Sequence, residues 1–71
     1  VKTNLIRLAD DNFFNMFYFL KTELEKVSTD KYKVFFVDIF GNKYLFKVIC
    51  DCFTPDDVNI KLNFILKDFI H

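Results

Sequence analysis

The chain has one glycine, one proline, one histidine, two cysteines and no tryptophan. Each scarcity excludes a class of function. A single glycine cannot build the glycine-rich loop that cradles phosphates. Two cysteines are too few for a disulfide scaffold. One histidine, at the last position, and one serine, Ser28, supply no Ser-His-Asp set that any motif supports. Neither sign of charge is in excess, because ten Lys and Arg balance ten Asp and Glu, so there is no basic footprint for nucleic acid. No uncharged apolar run reaches the roughly 18 residues a membrane-spanning helix needs. Neither a secretory leader, a repeat nor a low-complexity tract is visible.

What is present is apolar and aromatic. The chain is 52% hydrophobic, too apolar for disorder. Its 71 residues make one small domain, 1–71. A domain of this size buries only about 60% of its unfolded surface. Eleven phenylalanines and three tyrosines are therefore either the means to a stable core or, in part, a surface for a partner. Val1 in place of an initiator methionine points to a processed product or an excised piece.

Residues 1–9 fit a helix, a strand or an arm. Residues 10–27 read as a helix: Asp10, Asp11 and Asn12 are capping types, and Phe13, Phe17, Leu20, Leu24 and Val27 recur at helical spacing. Phe14, Met16, Tyr18 and Phe19 add apolar bulk off that stripe, as in a helix covered on more than one side. Residues 31–53 read as a β-hairpin, rich in Val, Ile, Phe and Tyr on both arms, with Gly41-Asn42 as its two-residue loop. That loop sets Phe40 opposite Lys43, Ile39 opposite Tyr44, Val37 opposite Phe46 and Phe35 opposite Val48. One face then carries Phe35, Val37, Ile39, Tyr44, Phe46 and Val48 and is the expected core face. The other is mixed, and Val34, Phe36, Leu45 and Ile49 form an apolar patch rimmed by Tyr32, Asp38, Lys47 and Asp51.

Thr54-Pro55-Asp56-Asp57 is a helix start signal, and Val58, Leu62, Ile65, Leu66 and Phe69 follow at helical spacing. A strand competes over 58–66, where Val58, Ile60, Leu62, Phe64 and Leu66 alternate with polar residues. The expected fold is α+β, helix–hairpin–helix (α-β-β-α), with both helices on one face of the sheet. The alternative is a helix followed by a three-stranded antiparallel meander.

Candidate chemistry is thin. Cys50 and Cys52 are expected on the core side of a strand as two reduced thiols, which suits a reducing, intracellular compartment; a metal would need more ligands than these and His71. Asp56-Asp57 and Asp10-Asp11 are expected to serve helix N-termini. No cofactor, metal or catalytic residue is expected, and the chain is not expected to be an enzyme. The expected function is a protein-interaction or assembly domain. It would dock on another protein, or on a second copy of itself, through the sheet-face patch Val34, Phe36, Leu45 and Ile49 or through the aromatic first helix at Phe14, Tyr18 and Phe19. The alternative is a nucleic-acid-binding module using Lys31, Lys33, Lys43 and Lys47 with the aromatics between them. No membrane partner is expected.

Overall fold

The structure is a computed structural model and describes residues 4–67. Its elements in chain order are β1 (Leu5–Arg7), β2 (Phe13–Asn15), a 3-10 turn (Met16–Tyr18), β3 (Phe19–Ser28), β4 (Lys31–Asp38), β5 (Lys43–Cys50) and α1 (Pro55–Leu66). The strands form two antiparallel sheets, β1-β2 and β3-β4-β5. The class is α+β, but the expected helix–hairpin–helix order is corrected: α1 is the one α-helix among the described residues.

The first expected helix is strand instead. Asp10, Asp11 and Asn12 do not cap a helix. They make the turn between β1 and β2, with Asp11 at φ 67°, Leu8 N donating to Asn12 O at 2.7 Å and Asn12 N donating to Asp10 Oδ1 at 3.1 Å. The same short polar side chains satisfy backbone groups in caps and in turns, so they announce an interruption without saying which kind. Asn15 then opens the 3-10 turn by accepting from Phe17 N at 2.9 Å. Beyond it, β3 pairs along β4 from Phe19↔Asp38 to Ser28↔Lys31, with irregularities at each end. Of the helical stripe, Phe13, Phe17, Leu20 and Val27 are exposed. Thr22 and Leu24, paired with Phe36 and Val34, face the core instead. Pairing on both sides of β4 satisfies the backbone while burying a period-two set, and this overrides the period-3.6 pattern.

The hairpin reverses where expected, at Gly41 and Asn42, but its loop is longer. The last pair is Val37↔Lys43, so five residues, Asp38 to Asn42, lie between the paired positions, three more than expected. Asp38 N donates to Asn42 O and Gly41 N to Asp38 O, both at 3.0 Å, and Gly41 takes φ 88°, where a side chain is strained. Lengthening the loop changes the register: Phe36 lies opposite Tyr44, Phe35 opposite Leu45 and Lys33 opposite Val48. A register change of odd parity turns one strand over. The core face of β4 is therefore Tyr32, Val34 and Phe36 rather than Phe35, Val37 and Ile39; Val37 is buried as expected, but outside the main cluster. On β5, Tyr44 and Phe46 keep their expected side, while Val48 is exposed. One extra residue in β5, between the pairs Phe35↔Leu45 and Val34↔Lys47, shifts the alternation so that both Phe46 and Ile49 reach the core.

Helix α1 begins as its sequence predicts. Thr54 Oγ1 accepts from Asp57 N at 3.3 Å, and Asp57 Oδ2 accepts from Phe53 N at 3.0 Å and Thr54 N at 3.2 Å, a reciprocal capping box. Val58, Leu62 and Leu66 face inward and the strand alternative for 58–66 fails. The expected meander does exist as β3-β4-β5, but residues 19–28 supply the strand that 58–66 were expected to give.

One core joins these parts: Leu8, Phe14, Tyr32, Val34, Phe36, Phe46, Ile49, Cys52, Val58, Leu62 and Leu66. Phe36 is its centre. It stacks on Phe46 with centroids 4.5 Å apart and meets Phe14 and Phe19 at 5.4 Å each. The two cysteines do not share a side. β5 ends at Cys50, which is exposed; Asp51 turns the chain at φ 60° and drops Cys52 into the core.

Candidate docking site at the aromatic end

Three of the four sheet-face residues expected to meet a partner are core. Val34 and Phe36 have no exposed surface, Ile49 is buried and Leu45 is half-buried on the opposite face of the sheet. Two shifts are the cause: the register change turns β4 over and the extra residue in β5 turns Ile49 inward, so these three are covered by β1, β2 and α1 of their own chain. Of the aromatic set expected on the first helix, Phe14 is core, Phe19 packs half-buried on Phe36, and Tyr18 is exposed.

The opposite face of the main sheet is shielded by long charged side chains. Lys43 Nζ lies 4.3 Å from the Phe35 centroid and 3.8 Å from Glu23, which also meets Lys21 at 3.9 Å. The stems of such residues cover apolar surface while their heads stay in water. Lys33 lies across from Glu25, and on the core side Lys47 Nζ lies 5.0 Å from the Phe46 centroid. The hairpin lysines thus do not form a free basic face with open rings between them.

Exposed aromatic surface gathers instead at one end, where the 3-10 turn meets the β4–β5 loop. Phe17 is 76% and Phe40 73% exposed. Tyr18 bridges them, with ring centroids 5.5 Å from Phe17 and 6.0 Å from Phe40. Ile39 and Leu20 are exposed beside them. The backbone beneath is fixed: Ile39 N donates to Tyr18 O at 3.0 Å, tying the loop to the turn.

Asp38 fixes the loop from within. It is the one buried charged residue among those described. Its Oδ1 accepts from Phe40 N at 3.0 Å and Asn42 N at 2.8 Å, and its Oδ2 from Asn42 Nδ2 at 3.3 Å and Tyr44 Oη at 3.1 Å. Burial alone would push its pKa up, but these four donors together hold it below the ordinary carboxylate value. The same hydrogen bond raises the pKa of Tyr44.

Beside the ring cluster lies a cleft of about 320 Å³. Phe13, Tyr18 and Phe40 line it with Phe14, Tyr44 and Leu8; Asp10, Asn12, Asn15 and Asp38 supply its polar groups. No lysine or arginine lines it. Among the described residues there is no group of three His, Cys, Asp or Glu placed to hold a metal, and no helix is long and apolar enough to cross a membrane. His71 lies outside the described residues. Asp56 and Asp57 stand in the first turn of α1, with Asp57 engaged in the capping box.

Sequence reasoning missed Phe17 and Phe40. The sequence places Phe17 on a helical stripe, and Phe40 at the end of a strand, opposite Lys43 on the mixed face of the hairpin. A usable signal was present in Asp38-Ile39-Phe40-Gly41-Asn42: an Asp placed to cap a longer turn puts the aromatic after it in a loop, where a hairpin has nothing to cover it. Compared with protein-family models, with curated proteins and with solved structures, the chain matches none.

Proposed function

We propose that the chain is a non-enzymatic interaction domain that docks on another protein through its aromatic end, with Phe17, Tyr18 and Phe40 as anchors. The observation that carries this reading is the pair of phenylalanines almost three-quarters exposed on a backbone held by the Ile39–Tyr18 hydrogen bond. A contiguous exposed apolar patch marks a partner surface. Aromatic anchors on a rigid backbone lose little freedom on binding, which is why such residues dominate interface energies. Elsewhere the sheet-face patch is core and the opposite face is covered by Lys43, Lys21 and Glu23; Phe53, Ile60 and Phe64 are also exposed, at the start of α1 and along it, but neither phenylalanine joins a ring cluster among the described residues.

A partner other than a second copy is favoured. A symmetric dimer through this end would bring Asp10, Asp11 and Asp38 toward their own counterparts, and like charges across an interface are costly. The nucleic-acid alternative finds less support, since Lys43 and Lys47 rest on their own chain's rings and the exposed rings sit beside carboxylates.

Selection from a displayed library of random peptides tests this. Enriched peptides are expected to carry aromatic or aliphatic residues, to bind wild type, and to lose at least about tenfold in affinity on Phe17→Ser or Phe40→Ser, equivalent to roughly 1.4 kcal/mol. They are expected to bind Val48→Ser, on the opposite face, unchanged. Peptides indifferent to Phe17 and Phe40, or a stable dimer by solution molar mass that Phe40→Ser dissociates, would refute the reading.

A further inference from the structure

We infer that the cleft beside Tyr18 and Phe40 receives a guanidinium, the side chain of an arginine on the docking protein. The inference rests on the docking reading and names what the partner must carry.

The cleft combines two features that separately are common and together are selective. Its walls are rings, Phe13, Tyr18 and Phe40, and aromatic faces attract cations. Its polar lining includes two carboxylates, Asp10 and Asp38, and neither forms an ion pair among the described residues. The carboxylates play different parts. Asp38 already accepts four hydrogen bonds, so it contributes a fixed negative charge to the lining and no further acceptor. Asp10 accepts only from Asn12, once on each oxygen, from the backbone N at 3.1 Å and Nδ2 at 2.9 Å. Each of its oxygens keeps a lone pair for a donor entering the cleft.

Shape separates guanidinium from ammonium. A planar guanidinium can lie flat on a ring while its edge donates to a carboxylate, whereas an ammonium needs acceptors all round it. The lining supplies both parts, the rings of Phe13, Tyr18 and Phe40 and the remaining lone pairs of Asp10. The chain itself contains such a pairing nearby: the Arg7 guanidinium carbon lies 5.8 Å from the Phe13 centroid, and Arg7 is not part of the cleft lining. Size points to a side chain. Ligand sites run from about 300 to 1,000 Å³, and about 320 Å³ is the lower end of that range.

The test is an NMR titration of the whole chain with a blocked tripeptide, leucine–arginine–leucine, and with its neutral twin carrying citrulline for arginine. The arginine peptide is expected to shift the amide signals of Phe13, Asn15 and Phe40 saturably, and the citrulline peptide to bind about tenfold more weakly. Asp10→Asn, which keeps the turn-forming side chain, is expected to remove most of that preference. Equal binding of the two peptides, or arginine-dependent shifts confined to another part of the chain, would overturn the inference. So would tetramethylammonium competing better than the arginine peptide, since the cleft would then suit a compact cation. The two readings fail separately. If selected peptides bind through Phe17 and Phe40 but tolerate citrulline, docking stands and the arginine falls. If no peptide depends on Phe17 or Phe40 yet arginine still outbinds citrulline at Asp10, the cleft chemistry stands and docking falls.

Discussion

Replacing Phe36 removes a ring with no exposed surface from between Phe46, Phe14 and Phe19. Truncating a buried Phe to Ala costs about 3–5 kcal/mol, and lost ring pairs add about 0.5–1.5 kcal/mol each beyond area. At roughly 0.05–0.15 kcal/mol per residue, a chain of 71 residues holds about 4–11 kcal/mol in total. Phe36→Ala is therefore expected to leave little or no folded protein, and Phe36→Leu is the informative variant. It keeps much of the volume and loses the ring geometry, an expected cost of about 1–2 kcal/mol. At about 4–8 °C per kcal/mol for a domain of this size, its Tm should fall by roughly 5–15 °C. Phe40→Leu, at a residue 73% exposed, is the control and should stay within about 0.5 kcal/mol. Urea and thermal unfolding followed by circular dichroism measure both. If Phe36→Leu costs no more than Phe40→Leu, β4 presents its other face to the core, the hairpin closes with a two-residue loop, and the aromatic end as described does not exist.

Other consequences follow from single groups. Asp38 and Asp57 both have pKa values below the ordinary 3.8, Asp38 because its four donors outweigh the effect of burial, Asp57 because Phe53 N and Thr54 N donate to it. A folded pKa below the unfolded one gives stability that is present above the unfolded value and lost as pH falls through the folded value. The urea midpoint should thus fall below pH 3.8, and Asp38→Asn should flatten that fall; equal acid slopes would remove Asp38 as a cause. Gly41→Ala should cost about 1–2 kcal/mol, the strain of a side chain at positive φ, because a Cβ there meets nothing within 4 Å. A cost far above that would mean the space is filled. A thiol reagent should label Cys50 in the native protein and Cys52 only on unfolding; equal rates would contradict the turn at Asp51.

Legibility in the sequence followed how local the determining interaction is. The start of α1 was readable because Thr54, Pro55 and Asp57 act within one turn of each other. The site of the hairpin reversal was readable because Gly41 is the one residue suited to φ 88°. The state of residues 13–28 was not, because their apolar residues fit a helical stripe and the deciding interaction is pairing with β4, outside the segment. The candidate site suffered the same way. Tyr18 was named for the right property, exposure, but on the wrong element, while Val34 and Phe36 were placed outside by a loop three residues too short and Ile49 by the unforeseen extra residue in β5.

These last two outcomes have one origin in Asp38. Its carboxylate gathers Phe40 N and Asn42 N, which closes the reversal over the five residues from Asp38 to Asn42 instead of two. A loop of that length turns β4 over, so the rings that would have faced a partner on the sheet, Phe36 above all, become the centre of the core. The same closure leaves Ile39 and Phe40 in the loop, with no strand opposite to cover them. Part of the apolar excess of the chain is therefore moved from the sheet face to its end, while Phe53, Ile60 and Phe64 stay exposed around α1. The charge that forms the loop also lines the cleft beside Phe40, so on the proposed reading the residue that builds the surface also biases what can bind it.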